Sequence, residues 1–135
     1  MTNSSLSIGL IGAGFLARAR VAAWRKIRGA DLTAVCSSTQ AGAQSFAASE
    51  GVTDAAADLD ELLARDDIQA VDVCVPNRAH RDVVERAAKA GKHILCTKPM
   101  AAYVGQDLGE GADALEVGRR DRAEMLRIAC ADAEA

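Results

Sequence analysis

The sequence predicts a doubly wound α/β fold, in which helices cover both faces of a parallel sheet. Short apolar runs bounded by polar residues or glycine alternate along the chain with longer stretches of helical character. The apolar runs are nearly continuous in hydrophobicity, which is typical of strands buried on both faces of a parallel sheet. A chain of 135 residues suits a single domain built in this way.

The first half of the chain supplies alternating strands and helices. Leu6–Ile11 predicts the first strand, and residues 15–27 place apolar and small side chains on one helical face. Gly29 ends that helix, and residues 32–36 predict the second strand. An alanine-rich helix is predicted over residues 41–49.

The next helix begins at a capping box. Gly51 ends the preceding helix, and Asp58 then stands at an N-cap position. Glu61 follows three residues later, which is the spacing of the reciprocal cap. Residues 70–75 are apolar except for one aspartate and predict the third strand.

The second half repeats the pattern and then departs from it. Residues 77–90 predict a loop followed by a helix, closed by Gly91, and His93–Cys96 predicts another strand. Residues 103–118 hold several glycines and acids and predict a surface loop, and residues 119–134 predict a helix.

A crossover helix in such a sheet delivers the next strand, and no strand follows residue 134. We therefore expect the sheet to lack its last strand. His93–Cys96 would then have one unpaired side, which favours self-association through the exposed sheet edge.

Composition excludes several classes of protein. With 16 Lys and Arg against 19 Asp and Glu, the net charge of −3 argues against a nucleic-acid-binding surface. Cys36, Cys74, Cys96 and Cys130 are far apart and lack Cys/His pair spacing, so neither a metal site nor a disulfide framework is predicted. No apolar stretch is long enough for a membrane span, and the first residues lack the basic start of a signal peptide. We expect a cytoplasmic protein.

A glycine-rich loop between the first strand and helix carries the clearest chemical signal. Residues 12–17 read G-A-G-F-L-A, a G-x-G-x-x-A match. Gly12 permits a tight turn, Gly14 lets the backbone approach a pyrophosphate, and Ala17 keeps the helix close to the sheet. Amide groups at the helix start would meet the phosphate charge. The alternative is a glycine-rich turn without a ligand.

The end of the second strand bears on the choice of dinucleotide. A carboxylate here would bind the ribose hydroxyls of NAD, but the chain has Ser37, Ser38 and Thr39, and Asp31 lies at the other end of the strand. Hydroxyls without a carboxylate favour NADP slightly over NAD, although the expected arginine is missing. The alternative is that these hydroxyls only satisfy a turn.

Two further motifs carry a family resemblance. Residues 75–80 read V-P-N-R-A-H and resemble a (T/V)-P-N-x-x-H motif, and residues 96–101 read C-T-K-P-M-A and resemble C-E-K-P-x-A. With the glycine-rich loop, their order and spacing resemble the glucose–fructose oxidoreductase/inositol dehydrogenase/MocA family over residues 6–102. The resemblance implies a Rossmann-type domain of an NAD(P)-dependent oxidoreductase that acts on a sugar, cyclitol or related alcohol.

The resemblance also implies roles for residues in the first loop. Contacts with the cofactor pyrophosphate would come from Gly12, Gly14, Phe15 and Leu16. Ser37 and Ser38 remain the candidates for the adenosine ribose, on the argument from the second strand.

The two later motifs would serve the nicotinamide end. By resemblance, Pro76, Asn77 and His80 would lie near that ribose, together with Thr97, and Lys98 would reach the reacting carbon as the catalytic residue. A cation beside the substrate oxygen stabilises a developing alkoxide. The alternatives are ordinary: a solvated loop lysine, and a histidine in the first turn of a helix.

Two departures from the family pattern qualify these expectations. Thr97 stands where the family has glutamate, so any network built on that carboxylate is lost or replaced. The resemblance also implies a following catalytic domain that forms most of the substrate pocket and supplies an acid–base Asp and His, and we expect this chain to lack it. We expect this chain alone to bind dinucleotide without turnover. The alternatives are a non-catalytic dinucleotide-sensing or protein-interaction module, and a protein that uses another nucleotide such as S-adenosylmethionine.

Overall fold

The structure of the chain, a computed structural model, describes residues 5–99, 119–120 and 122–123. Its strands are β1 Leu6–Ile11, β2 Ala30–Cys36, β3 Asp54–Ala55, β4 Ala70–Val73 and β5 His93–Cys96. Its helices are α1 Phe15–Trp24, α2 Gln40–Glu50, α3 Leu59–Leu63 and α4 His80–Lys89, and a 3₁₀ turn at Asn77–Ala79 leads into α4.

The strands form one parallel sheet in the order β3-β2-β1-β4-β5. The chain winds outward from β1 to β3, returns to the other side of β1 as β4, and continues to β5. This arrangement confirms the doubly wound parallel sheet. The winding direction reverses between β1 and β4, and in open α/β sheets the crevice at such a reversal is where ligands bind.

Alternate residues of the central strands serve two separate hydrophobic layers. Leu10 packs with Phe46 in the layer beneath α1 and α2. Its neighbour Ile11 points to the other face and packs with Leu62 and Val84 beneath α3 and α4. Burial on both faces explains the continuous hydrophobicity of these strands.

The N-cap predicted at Asp58 is confirmed, and α2 has a further cap, at Thr39, that was not predicted from the sequence. The Asp58 carboxylate accepts a hydrogen bond from the Glu61 amide at 2.9 Å, and Glu61 accepts from the Ala57 amide at 2.8 Å. Thr39 caps α2 by accepting from the Gly42 amide at 3.1 Å. Asp58 and Thr39 satisfy first-turn amides that have no partner within their helices, and Glu61 satisfies the amide just before the N-cap of α3.

Helix α1 is shorter than predicted, because it ends at Trp24 and not at residue 27. The Lys26 and Ile27 amides donate to the carbonyls of Ala23 and Trp24, three residues back, at 3.0 and 2.9 Å. The chain therefore tightens into a turn before β2.

The strand boundaries differ in three places. β2 begins at Ala30, two residues before the predicted start, because its first residues pair with the start of β1. β4 ends at Val73 and not at residue 75. The two-residue strand β3 was not predicted, since Asp54–Ala55 is too short to show a pattern and pairs only along the outer side of β2.

The predicted loop 103–118 and any strand after residue 134 lie outside the described residues. Of the predicted helix 119–134, residues 119–120 and 122–123 are described, and they are helical and exposed. No helix in the described part of the chain has the length and apolar character needed to cross a membrane.

A buried carboxylate in β4 fixes the position of α1. Asp72 is fully buried, and its Oδ1 accepts from Nε and Nη2 of Arg20 at 3.2 and 3.1 Å. Its Oδ2 accepts from the Trp24 indole N–H at 2.7 Å. A buried charge is tolerated only when it is paired and hydrogen-bonded, so these contacts hold α1 against the sheet in one orientation.

Replacing Asp72 with alanine should strongly destabilise the fold, because it leaves the Arg20 guanidinium and the Trp24 N–H without their acceptor. We expect the free energy of unfolding to fall by about 3 kcal/mol or more. Urea denaturation followed by far-ultraviolet circular dichroism measures this without relying on Trp24 fluorescence.

Asp82→Ala is the matched control. Asp82 is 72% exposed and pairs with Arg86 at 3.3 Å along the surface of α4. We expect a loss of less than about 1 kcal/mol. Equal losses in the two variants would show that the buried carboxylate has no special role.

Candidate functional site

The candidate site lies at the carboxyl edge of the sheet, where the loops after β1, β4 and β5 come together. The three loops contain the three motifs found in the sequence. Because β1, β4 and β5 are neighbours in the sheet, motifs separated by tens of residues along the chain meet at one edge. This is the place where doubly wound sheets bind ligands.

Gly12 joins the first loop to both neighbouring strands. Its φ of +111° lies in a region that side chains disfavour. Its amide donates to the Cys36 carbonyl at the end of β2, at 2.9 Å. A Cβ atom at this position would lie 2.6 Å from the Cys74 carbonyl oxygen beyond β4. The backbone therefore approaches so closely that only glycine fits.

Gly14 differs from Gly12, because a Cβ here would meet nothing within 4 Å. It is the N-cap of α1, but no side chain caps the helix and its first turn holds no acidic residue. Phe15 is 92% exposed and Leu16 is 39% exposed beside it. The start of α1 is therefore an open surface with amide groups that an anion could satisfy.

The three hydroxyl groups after β2 differ in their surroundings. Thr39 is engaged as the cap of α2. Ser37 is half-buried and Ser38 is exposed. A Cβ atom on Gly42 would lie 3.0 Å from the Thr39 hydroxyl and 3.3 Å from the Ser37 hydroxyl, so both oxygens pack closely against the start of α2. One of the three predicted hydroxyls thus caps a helix.

The loop after β4 exposes two of its three motif residues. Pro76 and Asn77 are exposed on the 3₁₀ turn. His80 has 1% relative exposure and begins α4. Its Nδ1 lies 2.7 Å from the Pro99 carbonyl oxygen and its Nε2 lies 3.0 Å from the Val75 carbonyl oxygen. The side chain is therefore turned into the protein, away from the solvent-facing side of the loop.

The loop after β5 presents the predicted catalytic lysine. Lys98 is exposed, and the Lys98–Pro99 peptide bond is cis. Thr97 is half-buried, and its carbonyl accepts a weak hydrogen bond from the Cys96 thiol at 3.6 Å. The Lys98 ammonium group is thus available at the edge of the sheet where the other two loops lie.

The thiols of Cys36 and Cys74 are uncharged at neutral pH. Burial raises the pKa of the Cys36 thiol to about 11. Burial, reinforced by the negative charge of Asp72, raises the pKa of the Cys74 thiol to about 12. Neither thiol adds a negative charge that would repel a phosphate. In the described ranges, no three His, Cys, Asp or Glu side chains form a group that could hold a metal ion.

Several groups that shape the site were missed from the sequence. They are the main-chain carbonyls of Cys36, Cys74 and Pro99, which contact Gly12 or His80. Every residue type except proline presents the same N–H and C=O groups, so no side-chain pattern identifies such contacts. The burial of His80 was also missed. The position of His80 at the start of an amphipathic helix could have indicated that its side chain is buried.

The chain matches the family model described as "Oxidoreductase family, NAD-binding Rossmann fold", of the Gfo/Idh/MocA group, over residues 6–120. It is 38% identical over 96 residues to D-apiose dehydrogenase from Paraburkholderia graminis, covering 68% of this chain and 24% of the relative. It is 33% identical over 118 residues to 1,5-anhydro-D-fructose reductase from Ensifer adhaerens, covering 87% and 34%.

Comparison with solved structures also finds similarity to NAD-binding oxidoreductases. An NAD-binding oxidoreductase from Klebsiella pneumoniae superposes with a TM-score of 0.69 at 28% identity, covering 93% of this chain and 32% of the other. The chain spans about a quarter to a third of the length of the relatives it matches.

Gly12 and Gly14 should respond differently to an added methyl group. Gly12→Ala forces alanine into a positive-φ conformation against the Cys74 carbonyl. We therefore expect the free energy of unfolding to fall by about 1–3 kcal/mol. Gly14→Ala meets open space at a φ of −92°, so its stability should stay near that of the wild type. Urea denaturation of both variants is the measurement, and the reverse order would contradict the described loop.

Proposed function

Because the chain belongs to the Gfo/Idh/MocA oxidoreductase family, with its NAD-binding Rossmann fold, we propose that it is the dinucleotide-binding part of a dehydrogenase or reductase. The proposed substrate of the whole protein is a sugar, a cyclitol or a related alcohol. The names of the relatives, a D-apiose dehydrogenase and a 1,5-anhydro-D-fructose reductase, support that substrate class.

The observation that carries the proposal is the open, uncapped start of α1 beside Gly14. A pyrophosphate there would accept hydrogen bonds from the amides of the first turn, and the helix dipole favours the negative charge. The residues proposed to line it are Gly12, Gly14, Phe15 and Leu16. The exposed faces of Phe15 and Leu16 give the cofactor an apolar border.

The adenosine ribose is proposed to lie at the end of β2, against Ser37 and Ser38. Neither residue repels a 2′-phosphate, and the exposed Ser38 hydroxyl can donate to it. The acidic residue of this strand, Asp31, is at the opposite end, where it pairs in register with Ser7 at the start of β1. We therefore propose that NADP binds at least as well as NAD.

The nicotinamide end is proposed to lie against Pro76, Asn77 and Thr97, with the buried His80 behind them near the ribose and Lys98 as the catalytic residue. The bound nicotinamide supplies or accepts the hydride. Lys98 would hold its ammonium group beside the substrate oxygen, where it stabilises developing negative charge and can pass a proton. Its exposure at the carboxyl edge of β5 makes this contact accessible.

We propose that this chain alone does not turn over substrate. In the family, the acid–base Asp and His and most of the substrate pocket belong to a second domain. Catalysis requires a substrate held in a reactive geometry, and a single lysine on an open edge does not provide it.

Isothermal titration calorimetry with NAD, NADP and ADP-ribose tests the binding proposal. We expect all three to bind, with NADP equal to NAD or tighter, and no reduction of NADP when polyols are added. Absence of binding by all three ligands at millimolar concentration would defeat the proposal. Steady NADP reduction would defeat the claim of inactivity.

Gly14→Ala sharpens this test, because the new methyl group projects into the space proposed for the pyrophosphate. We expect at least a tenfold loss of affinity for all three ligands with no loss of stability. Ala23→Ser, on the exposed last turn of the same helix, is the control and should bind like the wild type.

We also propose that β5 mediates self-association. Within the described residues β5 is one edge of the sheet, and Leu95 on it is 42% exposed. Unpaired edges pair readily with other strands. Sedimentation velocity should show larger species as concentration rises, and Leu95→Lys should reduce them. Ile27→Lys, at the comparably exposed Ile27 beyond α1, should not. A monomer at every concentration would reject the proposal.

A further inference from the structure

His80 connects two of the three loops at the site. It is the first residue of α4, after the turn that leaves β4, and its side chain is almost fully buried. One ring nitrogen faces the carbonyl of Val75, in the loop after β4, at 3.0 Å. The other faces the carbonyl of Pro99, in the loop after β5, at 2.7 Å.

These two loops leave adjacent strands at the same level. β4 and β5 are paired up to Val73 and Cys96, and beyond that pair the ladder stops. The imidazole of His80 lies between the two loops past this point and contacts the main chain of both. With its proton on Nδ1, the imidazole bonds the loop after β5 to the start of α4 and continues the connection between the strands where backbone hydrogen bonds no longer do so.

We propose that His80 is a positioning residue that holds the 97–99 loop, and with it Lys98, in place through the hydrogen bond from Nδ1 to the Pro99 carbonyl. His80 acts through the main chain and does not itself contact the ligand. The inference about loop position stands on the contacts alone. Its consequence for ligand binding rests on the proposed function.

The chemistry of the two contacts distinguishes the nitrogens. A backbone carbonyl only accepts hydrogen bonds, and a neutral imidazole has a single N–H. A proton on Nδ1 serves Pro99, and a proton on Nε2 serves Val75. A substitute that donates only from the Nδ1 position should therefore hold the 97–99 loop, and one that donates only from the Nε2 position should not.

Asparagine and glutamine separate the two bonds, because their amide nitrogens occupy roughly the positions of Nδ1 and Nε2. We expect His80→Asn to retain the bond to Pro99 and His80→Gln to lose it. Amide hydrogen exchange at Thr97 and Lys98, measured by NMR without ligand, should be at least tenfold faster in His80→Gln than in the wild type. In His80→Asn it should stay within about threefold of the wild type.

Ligand binding supplies the second measurement. Loss of one hydrogen bond that holds the loop should weaken NAD binding by about tenfold in His80→Gln. ADP-ribose lacks the nicotinamide, so its affinity should change less than about twofold. His93→Gln changes an exposed histidine on β5 and should match the wild type in every assay.

The outcomes separate this inference from the proposed function. Equal behaviour of His80→Asn and His80→Gln, or equal loss of NAD and ADP-ribose affinity, would overturn the positioning role. Unfolding of both variants would show that His80 only stabilises the core, and this result would also overturn the positioning role. If the wild type binds no dinucleotide, the proposed function fails, and the exchange rates at Thr97 and Lys98 still decide the inference about the loop.

Discussion

The contact between Gly12 and the Cys74 carbonyl is the constraint on which the site depends. The loop after β1 passes so close to β4 that a Cβ atom would lie 2.6 Å from that oxygen, while the Gly12 amide bonds to Cys36 at the end of β2. The Gly12 amide bonds the loop to β2, and on the other side the Ile11 carbonyl accepts from the Cys74 amide at 2.8 Å. Because the loop cannot shift sideways, α1 begins at a defined point above the reversal of the sheet.

Buried polar contacts fix the positions of the other elements of the site. Asp72 holds α1 on the sheet through Arg20 and Trp24. On the opposite layer, His80 joins the loop after β5 to the start of α4 through the Pro99 carbonyl. Such groups are costly to bury unless they are satisfied, so each of them selects one arrangement of the elements it joins. Apolar packing alone would be less selective.

Most of the strands, the N-cap at Asp58 and the three motifs could be identified from the sequence, because each depends on local residue types. Continuous apolar runs indicated β1, β4 and β5, and the cap at Asp58 follows from a short polar side chain before a helix. The two-residue β3 could not be predicted, since it exists only by pairing with β2. The early end of α1 also depends on the path that the chain takes into β2.

The sequence by itself determined the fold class, because hydrophobic periodicity is a local property. The resemblance of its three motifs indicated the family and the candidate residues for dinucleotide binding. Only the tertiary structure decided that Gly12 contacts Cys74, that Asp72 is paired with Arg20, and that His80 is buried between two carbonyls. These contacts join residues far apart in the chain, and several of them use main-chain atoms that every residue carries. Their partners are chosen by how the strands and helices pack, which no short stretch of sequence specifies.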